Sequence, residues 1–226
     1  MSLRIGVDMD GTLADLSSFY HEYEEKLFGR RTDDVADDAQ NEETPTDREK
    51  LKAAKEASRR REEVWSALRR TPDMWTMLKP LEAGAVRDLH AAMTSRNWEV
   101  FFITQRPKTE GASVQAQTQQ WLIAQGFAAP SVLTLTGSRG KAAHALDLDF
   151  LIDDLPKNCI DVISDSRCRP ILVMREPDPQ AESAAKRMRI GIVRSVSEAI
   201  DLLKTPSSVP RDSIVGSVLR RLGLGQ

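Results

Sequence analysis

Cysteine and histidine are scarce in this chain of 226 residues, which contains two cysteines and three histidines. Two cysteines, Cys159 and Cys168, are too few for a disulfide framework or a four-ligand zinc site. The histidines share no ligand spacing, since they stand far apart at His21, His90 and His144. We therefore expect free, reduced thiols, as in a cytosolic protein.

Long apolar runs are also missing. No run approaches the roughly 18 residues of a membrane-crossing helix, so the sequence predicts no membrane span. Residues 1–20 lack a signal-peptide pattern because Asp8 and Asp10 interrupt the only apolar start, which favours a cytoplasmic location. The 32 basic and 34 acidic residues leave a net charge of -2. Because the chain has no excess of positive charge, we do not expect it to bind nucleic acid through overall electrostatic attraction.

Short apolar runs alternate with helical patterns along most of the chain. The strand candidates are residues 3–8, 100–104, 132–135, 150–153, 171–174 and 190–193. The helix candidates between them are residues 81–95, 112–125, 141–146 and 196–204. This alternation is typical of βαβ units, so we predict an α/β fold with a Rossmann-like, doubly wound parallel sheet.

Residues 16–79 interrupt the alternation and predict an all-helical insertion. The core would then comprise residues 1–15 and 80–204. Within the insertion, residues 30–63 hold eleven acidic and nine basic side chains, with a basic helix predicted from about Asp47 to Leu68. A solvated helix face explains this charge, and the alternative is that some of the arginines meet a phosphorylated ligand.

Residues 205–226 form a separate C-terminal tail that begins with a Pro-Ser-Ser-Val-Pro linker. An amphipathic helix follows, with one apolar face made of Ile214, Val215, Val218, Leu219 and Leu222. Three interpretations stay open for this tail: docking on its own domain, pairing with a partner, and lying on a membrane surface. A homodimer is also kept as an option.

The densest chemical motif is the stretch Asp8-Met9-Asp10-Gly11-Thr12 at the carboxyl end of the first predicted strand. Ligands of open α/β sheets bind at that edge. Gly11 permits a sharp turn, so that Asp8 and Asp10 can face the same space. One carboxylate can then act as a nucleophile and the other as a general acid/base. Because two close carboxylates repel each other, a hard cation between them is expected.

Three later strand ends carry polar residues that suit a phosphate site. Thr104 and Gln105 end the second strand, where a hydroxyl and backbone amides can hold phosphate oxygens. Lys141 opens a helix after a glycine-bracketed loop, a place that the helix dipole disfavours for a cation. Asp153 and Asp154 end the fourth strand, where magnesium is a natural partner. Taken singly, each has an ordinary structural alternative: Thr104 and the Asp153-Asp154 pair also fit helix caps, and Lys141 also fits a surface lysine.

Together these motifs resemble the phosphatase branch of the haloacid dehalogenase superfamily. Its four motifs occur here in order, as Asp8-x-Asp10-Gly11-Thr12, Thr104, Lys141 and Asp153-Asp154. The resemblance implies that Asp8 forms an aspartyl-phosphate and that Asp10 is the acid/base. It implies that Thr104 and Lys141 bind the phosphoryl group. It also implies a Mg²⁺ site made by Asp8, Asp10 through its backbone carbonyl, Asp153 and Asp154.

A narrower resemblance is to the 5'(3')-deoxyribonucleotidases, in the stretches 8–15, 74–85, 102–104 and 151–154. In that family the insertion is a cap whose aromatic residues hold the nucleobase. Here the corresponding region holds Trp65 and Trp75, for which packing inside the cap is the alternative role. The candidate substrate residues are Leu16, Phe19, Trp75 and Arg106, and an outward salt bridge is the alternative for Arg106.

The sequence thus predicts a magnesium-dependent phosphomonoesterase for a small phosphorylated substrate, with nucleoside (deoxy)monophosphates as the first class. The alternatives are a phosphatase for a small sugar or acid phosphate, a nucleic-acid end-processing phosphatase, and a non-catalytic binding protein. The complete set of motif residues argues against the last of these. The balanced charge of residues 30–63 argues against a basic groove for nucleic acid ends.

Overall fold

The computed structural model describes residues 2–29 and 47–204 of the chain. In this part, six strands form one sheet: β1 (Arg4–Asp8), β2 (Glu99–Thr104), β3 (Ser131–Thr134), β4 (Phe150–Asp153), β5 (Arg169–Val173) and β6 (Gly191–Val193). Neighbouring strands are parallel and follow the order β3-β2-β1-β4-β5-β6. The central strands are buried on both faces, which accounts for their continuous apolar sequences. The predicted α/β class with a doubly wound parallel sheet is confirmed.

Helices connect the strands in the described part of the chain. They are α1 (Leu16–Phe28), α2 (Asp47–Arg69), α3 (Ala85–Arg96), α4 (Val114–Ala124), α5 (Arg139–Ala145), α6 (Pro156–Asp165), α7 (Pro179–Arg187) and α8 (Val196–Leu203). The predicted helices did not include α6 and α7. Each begins with a proline at its first helical position. Proline favours the start of a helix, but a prediction based on the spacing of apolar residues does not detect this signal.

The two faces of the sheet carry different apolar clusters. Phe102 of β2 belongs to the larger cluster, which packs under α3, α4 and α8 and extends to the insertion. Its ring meets the ring of Phe127 edge to face, with centroids 4.8 Å apart. Ile103, the next residue of β2, faces the other way and joins the cluster that packs under α5 and α6. This alternation along one strand is what a sheet covered on both faces requires.

β1 occupies the centre of the sheet, between β2 and β4. The chain moves outward from β1 to β3 and then returns to β4 on the other side of β1, so the strand order reverses there. Open α/β sheets bind their ligands beyond the carboxyl ends of the strands at such a reversal. Val7 pairs with Ile152 across the two strands, so Asp8 and Asp153 end neighbouring strands at this edge.

Helices α1 and α2 and a short 3-10 helix at Met74–Thr76 lie between β1 and β2, in the stretch predicted to be an insertion. Tyr20 of α1 packs against Trp65 of α2, with ring centroids 5.9 Å apart. The two ends of the insertion are joined, because the Asp15 backbone N–H donates to the Lys79 carbonyl at 2.9 Å. The insertion therefore leaves and re-enters the core at one place, next to the carboxyl end of β1.

Two predicted features fall outside the described residues. These are the acidic first half of the 30–63 stretch, in residues 30–46, and the C-terminal tail 205–226. The second half of the stretch forms α2, in agreement with the helix predicted from about Asp47 to Leu68. Among the residues that the structure describes, no helix has the length and apolar character needed to cross a membrane.

Candidate active site at the carboxyl edge of the sheet

Asp8 is the last residue of β1, and its side chain is buried, with 3% of the residue exposed. The Asp8 Oδ1 atom accepts a hydrogen bond from Nη2 of Arg139 at 2.5 Å. Burial raises the pKa of Asp8 well above its usual value, and the charge of Asp153 raises it further. Arg139 opposes both effects. Asp8 is therefore a buried carboxylate whose ionised form depends on cations close to it.

Asp153 and Asp154 follow from the end of β4 and have different surroundings. Asp153 is fully buried, and its Oδ1 accepts hydrogen bonds from the Leu155 backbone N–H at 2.9 Å and from Asn158 at 3.0 Å. Asp154 is half-buried and accepts a bond from the Thr12 hydroxyl at 3.1 Å. Burial, and then the charge of Asp153, raise the pKa of Asp154 from 3.8 to about 6. Both carboxylates thus carry an electrostatic cost that a cation would relieve.

Asp8, Asp153 and Asp154 together have the composition of a metal site. Each offers one carboxylate oxygen, and these three atoms lie within 4.8 Å of one another. Carboxylate oxygens are the ligands that Mg²⁺ prefers, usually with one or two carboxylates and several waters. Burial and neighbouring carboxylate charges raise the pKa of Asp8 and of Asp154, and a cation held between the carboxylates opposes both effects. The residues present therefore fit the predicted Mg²⁺.

Gly11 leaves the space in which the Asp154 carboxylate lies. Its φ of +83° is in the left-handed region, which favours glycine. A Cβ atom placed on Gly11 would stand 2.1 Å from Oδ2 of Asp154 and 2.7 Å from its Cγ. Gly11, expected to permit a sharp turn, is thus also needed for the close approach between the loop after β1 and Asp154.

Gly11→Ala should weaken Mg²⁺ binding and destabilise the protein, because the new methyl group displaces Asp154. The left-handed backbone alone costs roughly 1–2 kcal/mol for a residue with a Cβ. The measurement is a Mg²⁺ titration in which the melting temperature is recorded at each Mg²⁺ concentration. Gly137→Ala is the matched control, since a Cβ there meets nothing within 4 Å. Equal Mg²⁺ affinity in the two variants would contradict this role of Gly11.

Arg139, the first residue of α5, is the basic group at the centre of the site. Its guanidinium is nearly inaccessible and donates to Oδ1 of Asp8 and, at 2.9 Å, to the Ile103 carbonyl. Its Nε lies 3.2 Å from Oδ2 of Asp153. One buried cation therefore joins the ends of β1, β2 and β4. Such a group neutralises part of the negative charge and fixes the directions of both carboxylates.

Asp10 is paired with a second buried arginine, Arg106. The Arg106 Nε and Nη2 atoms donate to the two Asp10 carboxylate oxygens at distances from 2.7 to 3.1 Å. The remaining Nη1 donates to the Thr118 hydroxyl at 2.9 Å. The guanidinium carbon lies 4.6 Å from the ring centroid of Trp75. Each carboxylate of the first motif thus has its own arginine partner.

Comparison with known proteins agrees with this architecture. No protein-family model matches the chain, and no curated protein matches its sequence. A solved structure from Thermotoga maritima, assigned as a beta-phosphoglucomutase, is 16% identical with a TM-score of 0.55, over 89% of this chain and 98% of that one. A HAD family hydrolase from Deinococcus radiodurans R1, with bound phosphate and sodium, is 13% identical with a TM-score of 0.51, over 99% and 97%. The chain has the haloacid dehalogenase fold. At these identities the likeness is one of fold.

In this haloacid dehalogenase fold, Lys141 does not face Asp8, although the family resemblance implies that it binds the phosphoryl group there. Lys141 is exposed, and the cation beside Asp8 is Arg139. Both residues lie in the first turn of α5. Two residues along an α-helix differ by about 200° around the axis, so they face opposite sides. Arg139 faces the sheet edge, and Lys141 faces away from it.

Two predicted substrate residues are buried under Asp10. The side chain of Arg106 has no exposed surface and is engaged by Asp10 and Thr118. Trp75 is fully buried, and its Nε1 donates to the Pro107 carbonyl at 3.1 Å. A nucleobase cannot stack on an indole that solvent does not reach. The structure shows Trp75 in its alternative role, packing. Arg106 does form a salt bridge, but its partner is Asp10 and its side chain is buried, so the salt bridge does not point outward.

The other predicted site residues lie near the same edge. Thr104 ends β2 and is buried, one residue beyond Ile103, which pairs with Asp8. Gln105 is exposed, and its Nε2 donates to the Gly137 carbonyl at 2.6 Å, which links the loops after β2 and β3. Leu16 and Phe19 are partly buried in the first turn of α1. A phosphate role for Thr104 and Gln105 and a substrate role for Leu16 and Phe19 stay predictions.

Proposed function

We propose that this protein is a phosphomonoesterase of the haloacid dehalogenase superfamily. Asp8 is the nucleophile and Asp10 is the general acid/base. The observation that carries the proposal is the meeting of Asp8, Asp153 and Asp154, with carboxylate oxygens within 4.8 Å of one another, beside the buried guanidinium of Arg139. Phosphoryl transfer needs positioning and charge neutralisation above all, and this arrangement offers both.

The metal site proposed for this reaction takes Mg²⁺. Asp8, Asp153 and Asp154 would hold the ion, with the Asp10 backbone carbonyl as the further ligand that the family resemblance implies. Bound Mg²⁺ supplies positive charge that offsets the carboxylates and the phosphoryl oxygens. The sodium and phosphate bound by the Deinococcus radiodurans hydrolase support a site for a cation and an anion in this fold.

The chain's own residues carry the two chemical steps. A carboxylate oxygen of Asp8 attacks phosphorus, and the bond between phosphorus and the leaving oxygen breaks. Protonated Asp10 gives its proton to the leaving alkoxide. Asp10 then takes a proton from water, and the water oxygen attacks the phosphorus of the aspartyl-phosphate, which restores Asp8 and releases inorganic phosphate. Arg139 holds Asp8 in place, and the Thr104 hydroxyl and Gln105 bind phosphoryl oxygens.

Nucleoside monophosphates are the first substrate class to test. The narrower resemblance to 5'(3')-deoxyribonucleotidases supports them, as do the partly buried rings of Phe19, Tyr20 and Trp65 on the insertion. Phe19 lies four residues after Asp15, where the insertion leaves the core next to the site. These rings, and not Trp75, are therefore the candidates for contact with a base.

A small sugar phosphate is the second candidate. Two observations favour it: the burial of Trp75 and the fold similarity to a protein assigned as a beta-phosphoglucomutase. Loss of activity in Trp75→Ala does not separate the two classes, because Trp75 packs on the arginine that holds Asp10. The separating variants are Phe19→Ala and Trp65→Ala, which lie on the insertion helices α1 and α2.

The test is phosphate release from a panel of nucleoside monophosphates and sugar phosphates, with Mg²⁺ or with a chelator. We expect Mg²⁺-dependent turnover. A preference for nucleotides that Phe19→Ala or Trp65→Ala reduces supports the first class, and an unchanged preference for sugar phosphates supports the second. Metal-dependent binding without turnover of any substrate would contradict the phosphatase proposal.

Protons and Mg²⁺ should compete for Asp154. Its pKa in the metal-free fold is about 6, above the usual 3.8, so its contribution to stability is complete below pH about 4 and is lost as pH rises through about 6. Relative to Asp154→Asn, chelator-treated wild type should therefore lose melting temperature between pH about 4 and 7. Mg²⁺ should restore it most above pH about 6. Parallel curves for wild type and variant would contradict this assignment.

A further inference from the structure

The carboxylate of Asp10 is held at two points by one arginine. Arg106 Nη2 donates to Oδ1 at 2.7 Å, and Nε donates to Oδ2 at 2.9 Å, with a longer contact to Oδ1 at 3.1 Å. A two-point pair of this kind fixes both the position and the plane of a carboxylate. A carboxylate has about four lone-pair directions, so Asp10 keeps an open direction while it is held.

Arg106 is itself fixed on its other sides. Its Nη1 donates to the Thr118 hydroxyl at 2.9 Å, and that hydroxyl donates to the Val114 carbonyl at 2.7 Å. The indole of Trp75 covers the guanidinium. The arginine side chain has no exposed surface, whereas the Asp10 side chain is 19% exposed. Of the pair, Asp10 is thus the member that a substrate can reach.

The support beneath Arg106 extends into α4. The Trp75 backbone N–H donates to Oε1 of Gln117 at 3.1 Å, and Gln117 is fully buried. The amide nitrogen of Gln117 donates to the Ala112 carbonyl at 2.6 Å. α4 therefore supplies Thr118 to the arginine directly and holds its covering indole through Gln117. A buried and satisfied polar network of this kind is rigid.

We propose that Arg106 is a positioning residue for the acid/base Asp10, and not a substrate-binding residue. This inference depends on the proposed function. Asp10 must put its proton on the leaving oxygen and later take one from water, and such transfers require hydrogen-bond reach of the reacting atom. Misplacement by about 1 Å can cost roughly 10²-fold in rate. Arg106 supplies that placement through Asp10 without touching the substrate.

The test uses two substrates that differ in their need for an acid. An alkyl phosphate releases an alkoxide that needs a proton, whereas p-nitrophenyl phosphate releases a stabilised phenolate that does not. In Arg106→Lys, which keeps the charge but loses the two-point geometry, kcat/KM for the alkyl phosphate should fall about 10²-fold. The value for p-nitrophenyl phosphate should change by less than about threefold. Competitive inhibition by inorganic phosphate should be unchanged.

Thr118→Val supplies a milder variant, since it removes only the hydroxyl that anchors Arg106. Its ratio of alkyl to aryl kcat/KM should fall less than in Arg106→Lys but in the same direction. Thr94→Val is the matched control, because Thr94 makes the same bond to the carbonyl four residues earlier, His90, on the exposed face of α3. Melting temperatures of all three variants report folding separately from the ratio.

Either of two results would overturn the inference. One is an equal loss of kcat/KM for both substrates in folded Arg106→Lys and Thr118→Val, which would indicate a general structural effect. The other is weaker inhibition by inorganic phosphate in Arg106→Lys, which would indicate that Arg106 binds the phosphate group directly. Failure of the proposed function looks different, because wild-type protein would then release no phosphate from either substrate, and the inference would fall with it.

Discussion

Asp8→Asn should reduce phosphate release by about 10⁴-fold or more, since an amide is not a nucleophile and no aspartyl-phosphate can form. The variant should fold at least as well as wild type. Burial and the charge of Asp153 raise the pKa of Asp8, so the ionised carboxylate is a burden on the metal-free fold. Asn keeps an oxygen that can accept the hydrogen bond from Arg139. Loss of activity should therefore come with an equal or higher melting temperature in chelator.

The decisive measurement for Asp8 is the covalent intermediate. Acid-quenched wild type should carry label from a ³²P-labelled substrate in a bond that hydroxylamine cleaves, and Asp8→Asn should carry none. Asp88→Asn, on the exposed face of α3, is the matched control and should label like wild type. Labelling of folded Asp8→Asn would remove Asp8 from the role of nucleophile.

The parts of the site that lie on strands could be predicted from the sequence. Strand runs are short, apolar and easily placed, and the carboxyl ends of parallel strands meet at one edge. The rule needs no side-chain detail, so the sequence predicts Asp8 and Asp153 at the ends of two strands, and the structure has them at the ends of β1 and β4. Gly11 could be predicted as a turn, but not as the residue against which Asp154 packs.

The arginines of the site could not be predicted in the same way. Arg139 and Lys141 are both cations at the start of one helix, and only the rotation of that helix decides which one faces the sheet. Arg106 follows a strand end and resembles a residue free to bind substrate. Its burial depends on Thr118 and Trp75, which are distant in sequence. Arg139 is visible in the sequence between Ser138 and Gly140. Apolar periodicity marks buried apolar residues, however, and gives no sign that an arginine is buried.

Gly140 shows why α5 presents Arg139 to the site. A Cβ on Gly140 would stand 2.3 Å from the Asp161 carbonyl of α6, so the two helices approach closely at this glycine. The Gly140 backbone N–H also donates to Oδ2 of Asp161 at 3.0 Å. With the α6 side of α5 fixed at Gly140, the preceding residue turns toward the sheet edge and Lys141 turns outward.

Arg139→Met should therefore destabilise the metal-free protein by about 3–5 kcal/mol, the usual cost of removing one partner from a buried ion pair. Asp8 and Asp153 would face each other without a cation. Arg139 lowers the pKa of both carboxylates, so without it both pKa values rise further. Protonation at low pH then relieves the repulsion, and the loss of stability should be smaller at pH about 5 than at pH about 8.

Urea unfolding at both pH values, in chelator and in Mg²⁺, measures this effect. Mg²⁺ should recover part of the stability, because it supplies positive charge to the same carboxylates. Lys141→Met is the matched control from the same helical turn, and its exposed position predicts a change within about 0.5 kcal/mol. Activity separates the two residues as well: folded Arg139→Met should lose turnover, which Arg139→Lys should partly retain, whereas Lys141→Met should keep it. If Lys141→Met abolished turnover while folded Arg139→Met kept it, the phosphoryl-binding cation would be Lys141 and α5 would have to rotate during the reaction.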